Sequence, residues 1–265
     1  MISLSGLTFF PIKSCRGFDI DSARVERAGL ERDRRMMVVT LQGDLVTQRE
    51  HARLAWVTPG LTNGTLTLTA PDFDSIQVPV QTTGTTVPVR VWKSSGIQAV
   101  DQGDEAALWF SDFLMAPVRL VHIADGYQRK VNPVYAVTPE DHTGFADGYP
   151  ILIASEESLA DLNSRLETPL LMNRFRPNLI VKGCEPFAED TWKRVRIGGL
   201  ELAVVKPCAR CVVTTIDKQT LQRSKEPLKT LAAFRKQAGG VMFGQNVIPL
   251  NEGRLEAGMN VEILS

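Results

Sequence analysis

The chain has 265 residues, enough for one large domain or two small ones around a sizeable core. Thirty basic residues balance thirty acidic ones, and apolar residues make up 43% against 23% charged. That is a soluble globular composition, with no global field to draw nucleic acid or an anionic membrane.

The opening "MISLSGLTFFPIKSCRG" has no basic n-region and no A-x-A-like cleavage site, so it reads as a first strand rather than a signal peptide. With no run of about 18 apolar residues to span a bilayer, a cytoplasmic location is the default expectation. "RMMVVTL", "TLTLTA", "SIQVPVQ" and "TTVPVRVW" are short, β-rich and set apart by turn residues, and Asn63-Gly64 is a hairpin signal. Strands this short and frequent predict a barrel or sandwich. In "GDEAALWFSDFLM" the period changes, with Ala107, Phe110 and Leu114 on one helical face, and a domain boundary is expected nearby, dividing residues 1–118 from 119–265.

The second half mixes elements. "PILIA" reads as a buried strand, and "SEESLADLNSRL" as a helix capped by Ser155 with Leu159, Leu162 and Leu166 inward. "RVRIGGLELAVVK" predicts a hairpin around Gly198-Gly199. "EPLKTLAAFRKQ" predicts a helix with Pro227 in its first turn, and "GMNVEIL" a closing strand.

Cys208 and Cys211 form the one C-x-x-C, in "VVKPCARCVVTTID". A structural zinc site needs four ligands, but the remaining cysteines are Cys15 and Cys184, and His51, His122 and His142 are scattered. A thioredoxin-type pair opens a helix, whereas the β-branched "VVTTI" predicts a strand here. Two inert, packed thiols are a third reading. The fourth is a soft metal that needs only one protein thiolate, with Lys206 and Arg210 favouring its ionised form.

"KPCARCVVTTID" resembles the signature of the MOSC domain, the molybdenum-cofactor sulfurase C-terminal domain. "FFPIKSCRG", "ERDRRMMVV", "TQRE", "FADGYPILIASEESLADLN", "NRFRPNLIV", "EDTWKRVRIG", "KEPLKTLAAFR" and "FGQNVI" resemble, in order, segments of YcbX-like bacterial proteins and the mitochondrial amidoxime-reducing component. The resemblance covers essentially the whole chain. It implies a mainly β protein with flanking helices (α+β), an N-terminal β-barrel-like domain followed by a MOSC β-barrel domain, and a molybdenum cofactor in the cleft between them.

By the same resemblance Cys211 is the metal ligand and catalytic residue, while Cys208 packs or supports it. Lys13, Ser14 and Arg34 would grip the cofactor phosphate, Arg176 and Asn178 of "FRPN" would contact the cofactor, and Thr47, Arg49, Asp147 and Arg210 are further candidates. The implied activity is two-electron reduction of N-hydroxylated compounds. The alternative is a cofactor carrier or sulfur-handling module without turnover. "VEIL" is not followed by a ferredoxin-like cysteine run, so electrons are expected from a separate ferredoxin- or flavin-type partner, unless the chain is a piece of a longer one. The lack of G-x-S-x-G, and histidines without a recognisable motif context, point away from a hydrolase.

Overall fold

The computed structural model describes residues 1–265. The fold is mainly β, with three α-helices: α1 (Asp104–Leu114), α2 (Glu156–Asn163) and α3 (Leu228–Phe234). Its largest sheet runs in the order Phe18–Ile20, Ser3–Phe9, Leu179–Lys182, Ile151–Ser155, Gly240–Pro249, Leu200–Ala209, Arg194–Ile197, Val261–Ile263. All its ladders are antiparallel except Ile151–Ser155 beside Leu179–Lys182, and α2 lies on the connection between those two strands. A parallel neighbour requires such a crossover.

A second, four-stranded sheet orders Met36–Thr40, Val118–Ile123, Ser94–Asp101 and Thr86–Val91. Beside it, Thr58–Thr62, Thr65–Ala70 and Phe73–Pro79 form a meander. Asn63 and Gly64 both take positive φ, 49° and 77°, as a two-residue turn between twisted strands requires.

Strand pairing does not follow chain order across the middle of the sequence. Ser3–Phe9 hydrogen-bonds to Leu179–Lys182, and Ser22–Glu26 to Gly253–Glu256, so the first thirty residues are woven into the C-terminal half. Val118–Ile123 pairs with Met36–Thr40. The segment after Phe9 loops out to the second sheet, where Ile12 bridges Met36, and returns as Phe18–Ile20 beside Ser3–Phe9; the cleft lies at that loop.

Each sheet has its own core. Met36, Val38, Leu54, Leu66 and Leu68 pack on Trp109, Phe110 and Phe113 of α1. The buried face of α1 is wider than the predicted stripe, because Ala106, Trp109 and Phe113 join Ala107, Phe110 and Leu114. A second core gathers Leu4, Leu7, Ile153, Leu179, Val195 and Leu202 on the large sheet. Ser155 caps α2 by accepting the Ser158 N–H at 3.1 Å.

Two local expectations are corrected. The helix over "EPLKTLAAFRKQ" ends at Phe234, and Lys236–Gln237 pairs as a short strand with Gly240-Val241. The β-branched "VVTT" after Cys211 is a 3-10 turn, Val212–Thr215, and not a strand. There Thr214 Oγ1 donates to the Cys211 carbonyl at 2.9 Å and Thr215 Oγ1 to the Val212 carbonyl at 2.8 Å. Threonine hydroxyls bonding three residues back offset the weak helical preference of branched side chains. No helix is long and apolar enough to cross a membrane.

Candidate active site

The cleft is built from four segments. The first leaves strand Ser3–Phe9 and turns at Pro11–Cys15. Ile12 and Cys15 are fully buried in the first core, while Lys13 and Ser14 line the cleft. Lys13 N–H donates to the Met36 carbonyl and Met36 N–H to the Pro11 carbonyl, so the turn is stitched to the neighbouring sheet. Ser14 takes φ 69°, a conformation that non-glycine residues seldom adopt. A Cβ on Gly17 would stand 2.3 Å from the Phe10 ring, so only glycine lets Phe10 close under this turn.

Phe10 matters because the guanidinium carbons of Arg34 and Arg176 both lie 4.3 Å from its ring centroid. The aromatic ring offers each cation a favourable quadrupole where water is scarce. Arg34 Nη1 donates to Asp33 Oδ2 at 2.6 Å and to Asn178 Oδ1 at 2.9 Å, and Nη2 donates to the Arg176 carbonyl at 3.1 Å. Asn178 also donates to the Thr8 carbonyl at 3.2 Å and is 1% exposed. Its amide is thus spent on holding Arg34 and the strand.

The second wall is "TQRE". Thr47 Oγ1 donates to Glu50 Oε2 at 2.6 Å and accepts the Arg49 N–H at 3.0 Å, which fixes a tight turn that presents Gln48 and Arg49. Arg49 lies 4.3 Å over the ring of Trp92, which sits at a hairpin tip with φ 53°.

The third wall is 144–149. A Cβ at Gly144 would lie 2.7 Å from the Arg34 carbonyl, and that close approach brings Asp147 to Lys13. Lys13 Nζ donates to Asp147 Oδ1 at 2.5 Å, and Trp92 Nε1 donates to the same oxygen at 3.0 Å. Burial pulls the Lys13 ammonium below its usual range, and the Asp147 charge only partly restores it. At Asp147 the position within the cleft pushes the carboxyl up, but Lys13, the Trp92 hydrogen bond and the Arg34 charge together outweigh it and the net shift is down. The Asp147 side chain points into the open cleft and remains accessible to water, so this pair is no measure of stability.

The fourth wall carries the thiols. Arg210 Nη1 donates to Cys208 Sγ at 2.9 Å and Nη2 to the Phe175 carbonyl at 2.6 Å. Cys211 begins the 3-10 turn, which Arg174 Nε secures by donating to the Thr214 carbonyl at 3.0 Å. All four cysteines are free thiols, and no group of three His, Cys, Asp or Glu side chains is close enough to hold a metal by itself.

The structure brings the candidate site residues to one cleft: Lys13, Ser14, Arg34, Thr47, Arg49, Asp147, Arg176, Asn178, Arg210 and Cys211 all line it, whereas Lys206 lies outside that lining with its ammonium 4.5 Å over the Tyr135 ring. Its open volume is about 860 Å³ with the solvent-filled mouth included. Sequence reasoning missed Gln48, Trp92, Tyr149 and Arg174. Arg174 stands in the quoted "NRFRPN" and repeats the Arg176 chemistry two residues earlier, whereas a hairpin-tip Trp carries no local signal.

The electrostatics are one-sided. Lys13, Arg34, Arg49, Arg174, Arg176 and Arg210 line the cleft against the single carboxylate of Asp147. Burial, and next the Arg34 charge, pull Arg176 down to about 9. Arg176 Nη2 and Arg210 Nε are buried with no hydrogen-bond partner. Buried donors are normally satisfied, so these two fit an anionic, acceptor-rich ligand such as a phosphate-bearing cofactor.

Just behind the lining, burial and then Arg176 and Arg174 pull Lys218 from 10.5 to about 7. Between those values the unfolded chain holds a proton that the folded chain lacks. Stability therefore rises with pH from about 7 to 10.5 and is lowest below 7, where the folded protein must carry the charge. Denaturant unfolding at steps across this window checks this. Lys218→Met flattens the slope by less than about 1.4 kcal/mol per pH unit, the ceiling for one proton, because solvent partly reaches the ammonium.

Comparison with known proteins accords with this geometry. Residues 1–117 match the MOSC N-terminal beta barrel domain and residues 140–262 the MOSC domain. The chain is 35% identical to mitochondrial amidoxime-reducing component 1 of Homo sapiens, over 99% of this chain and 83% of that protein. It is 36% identical to the Mus musculus protein of the same name, over 99% and 82%, and 37% identical to mitochondrial amidoxime reducing component 2 of Bos taurus, over 88% and 72%. With both domains matched in order and relatives aligned over most of their lengths, the chain belongs to the MOSC-domain family of the amidoxime-reducing components.

Proposed function

We propose that the cleft binds the molybdenum cofactor and that the protein reduces N-hydroxylated compounds, amidoximes and hydroxylamino bases among them, with electrons from a separate donor protein. One observation carries this reading: two buried guanidinium nitrogens without acceptors, Arg176 Nη2 and Arg210 Nε, in the cleft that Cys211 also lines. An unsatisfied buried donor costs about 1–3 kcal/mol, more when charged, and a phosphate and pterin would satisfy both.

Cys211 would give a metal its one protein thiolate, and Lys13, Arg34 and Arg176 would hold the anionic group. When bound, the cofactor would supply the two-electron redox chemistry, while the protein positions it and shapes access. Arg210 donates to Cys208 and so keeps that second sulfur turned to its own guanidinium. Burial, and next Tyr135, push the Tyr149 hydroxyl up to about 12, so at neutral pH it keeps its proton and can donate to a substrate oxygen. Conversion of R–NHOH to R–NH2 and water takes two electrons from the donor and two protons, which reach the cleft from solvent.

The test is anaerobic turnover with a reduced viologen dye, using protein from a molybdenum-replete host that holds roughly one metal per chain, as a single thiolate ligand implies. The expected products are the amine from a hydroxylamino base and the amidine from an amidoxime. Metal-loaded protein that forms neither, yet passes its cofactor to an apo-enzyme, would make it a carrier.

A further inference from the structure

The turn at 217–223 continues from the Cys211 segment, yet its side chains grip the opposite wall of the cleft. Lys218 Nζ donates to Gln48 Oε1 at 2.6 Å. The other end of the same amide, Gln48 Nε2, donates to the Ser14 carbonyl. Trp56 Nε1 donates to the carbonyls of Lys218 and Gln219 at 3.1 and 3.2 Å, and Arg223 Nη2 donates to the carbonyls of Gln48 and Arg49. Gln48 is 1% exposed, so its amide has no bulk water to replace a lost partner.

These contacts end at the strained turn of the cleft. The Ser14 carbonyl is held by Gln48, and the next one, of Cys15, accepts Arg176 Nη1 at 2.7 Å. Ser14 keeps its φ of 69° between these two clamps, and its N–H takes no part in the backbone hydrogen bonding.

The choice of lysine is the second observation. A neutral donor would hold Gln48 equally well. Instead an ammonium is placed where burial, and next Arg176 and Arg174, disfavour its charge, with the neighbouring Asp217 acting the other way. Such a charge costs folding stability and is repaid only when an anion enters.

We propose that Lys218 is a positioning residue of the cleft: through Gln48 it fixes the Ser14 turn, and its charge adds to the field that holds an anionic group there. This rests on reading the cleft as an anion-binding cofactor site, but its test does not depend on the cofactor being molybdenum.

The full-length protein, Lys218→Met, Gln48→Leu and the double variant are compared by calorimetric titration with inorganic phosphate in cofactor-free form. Thermal midpoints are taken without phosphate, and metal content after expression in a molybdenum-replete host. Each single variant is expected to weaken phosphate binding roughly tenfold, the scale of one hydrogen bond in a charged site. Lys218→Met should do so without lowering the thermal midpoint at pH 7. The double variant should cost no more than Lys218→Met alone, because the two act as one relay. Unchanged phosphate affinity in Lys218→Met, additive losses, or losses that merely track a lowered midpoint each overturn the proposal. If the wild-type protein holds no molybdenum but the phosphate pattern appears, the relay stands and the cofactor reading falls. Metal-loaded protein without the pattern means the reverse, and a wild-type protein that binds neither sinks both.

Discussion

Cys211→Ala is expected to lose amidoxime reduction by on the order of 10³-fold or more, the scale on which removing one member of a reacting constellation acts. Cys208→Ala is expected to lose about fivefold, the equivalent of one hydrogen bond near 1 kcal/mol. The two thiols differ in what already engages them. Cys208 Sγ accepts Arg210 Nη1 at 2.9 Å, so its role within the protein is visible. Cys211 sits at the start of the 3-10 turn, has no side-chain partner there, and is partly exposed where the cleft opens. Its backbone is held by Thr214, whose Oγ1 and N–H both donate to the Cys211 carbonyl. Arg174 secures the far end of the turn. A thiol that is rigidly presented but unspent is what a metal requires of a ligand. Metal analysis alongside the kinetics separates lost ligation from lost folding, since both variants should unfold cooperatively. Equal losses in the two variants, or a larger loss at Cys208, would reverse the assignment.

How much of this was legible in the sequence depended on the range of the interaction. Met36–Thr40 announces itself as a short β-rich run, Thr65–Ala70 by alternation, and the Asn63-Gly64 turn by its dipeptide. Ser155 reads as a cap because its hydroxyl bonds only three residues away. The turn after Cys211 was misread as a strand because branched side chains favour strands on average. What decided otherwise was the pair of threonine hydroxyls and the Arg174 contact from 40 residues away. The weave of Ser3–Phe9 into the C-terminal sheet was also out of reach, since pairing partners about 175 residues apart leave no local mark. The candidate site was legible only as a set of ordered motifs. Thr47 and Asn178 line the cleft as expected, but their polar groups are taken up in building it, a distinction visible only in the hydrogen bonds.

Arg34→Ala is expected to empty the site of cofactor while leaving a folded protein. Arg34 is 12% exposed at its side chain and spans both halves of the cleft, bonded to Asp33 on one side and to Asn178 and the Arg176 carbonyl on the other. Its removal takes a charge from the anion site and also frees Arg176, which is otherwise held beside it over Phe10. A charge-assisted contact shielded from water is worth roughly 1.5–3 kcal/mol. Cofactor affinity should therefore fall by about ten- to a hundredfold for the contact alone, and further as Arg176 loosens. Lys13→Met should do less, because the Lys13 ammonium already spends part of its charge on Asp147 at 2.5 Å. It also leaves that carboxylate facing the anion, so an additional Asp147→Asn substitution should recover part of the loss. Molybdenum and pterin content per chain after extensive dialysis, set beside the thermal midpoint of the cofactor-free protein, decides the matter. Full occupancy in Arg34→Ala, or no recovery in the Lys13 and Asp147 pair, would mean that the anionic group is held elsewhere in the cleft.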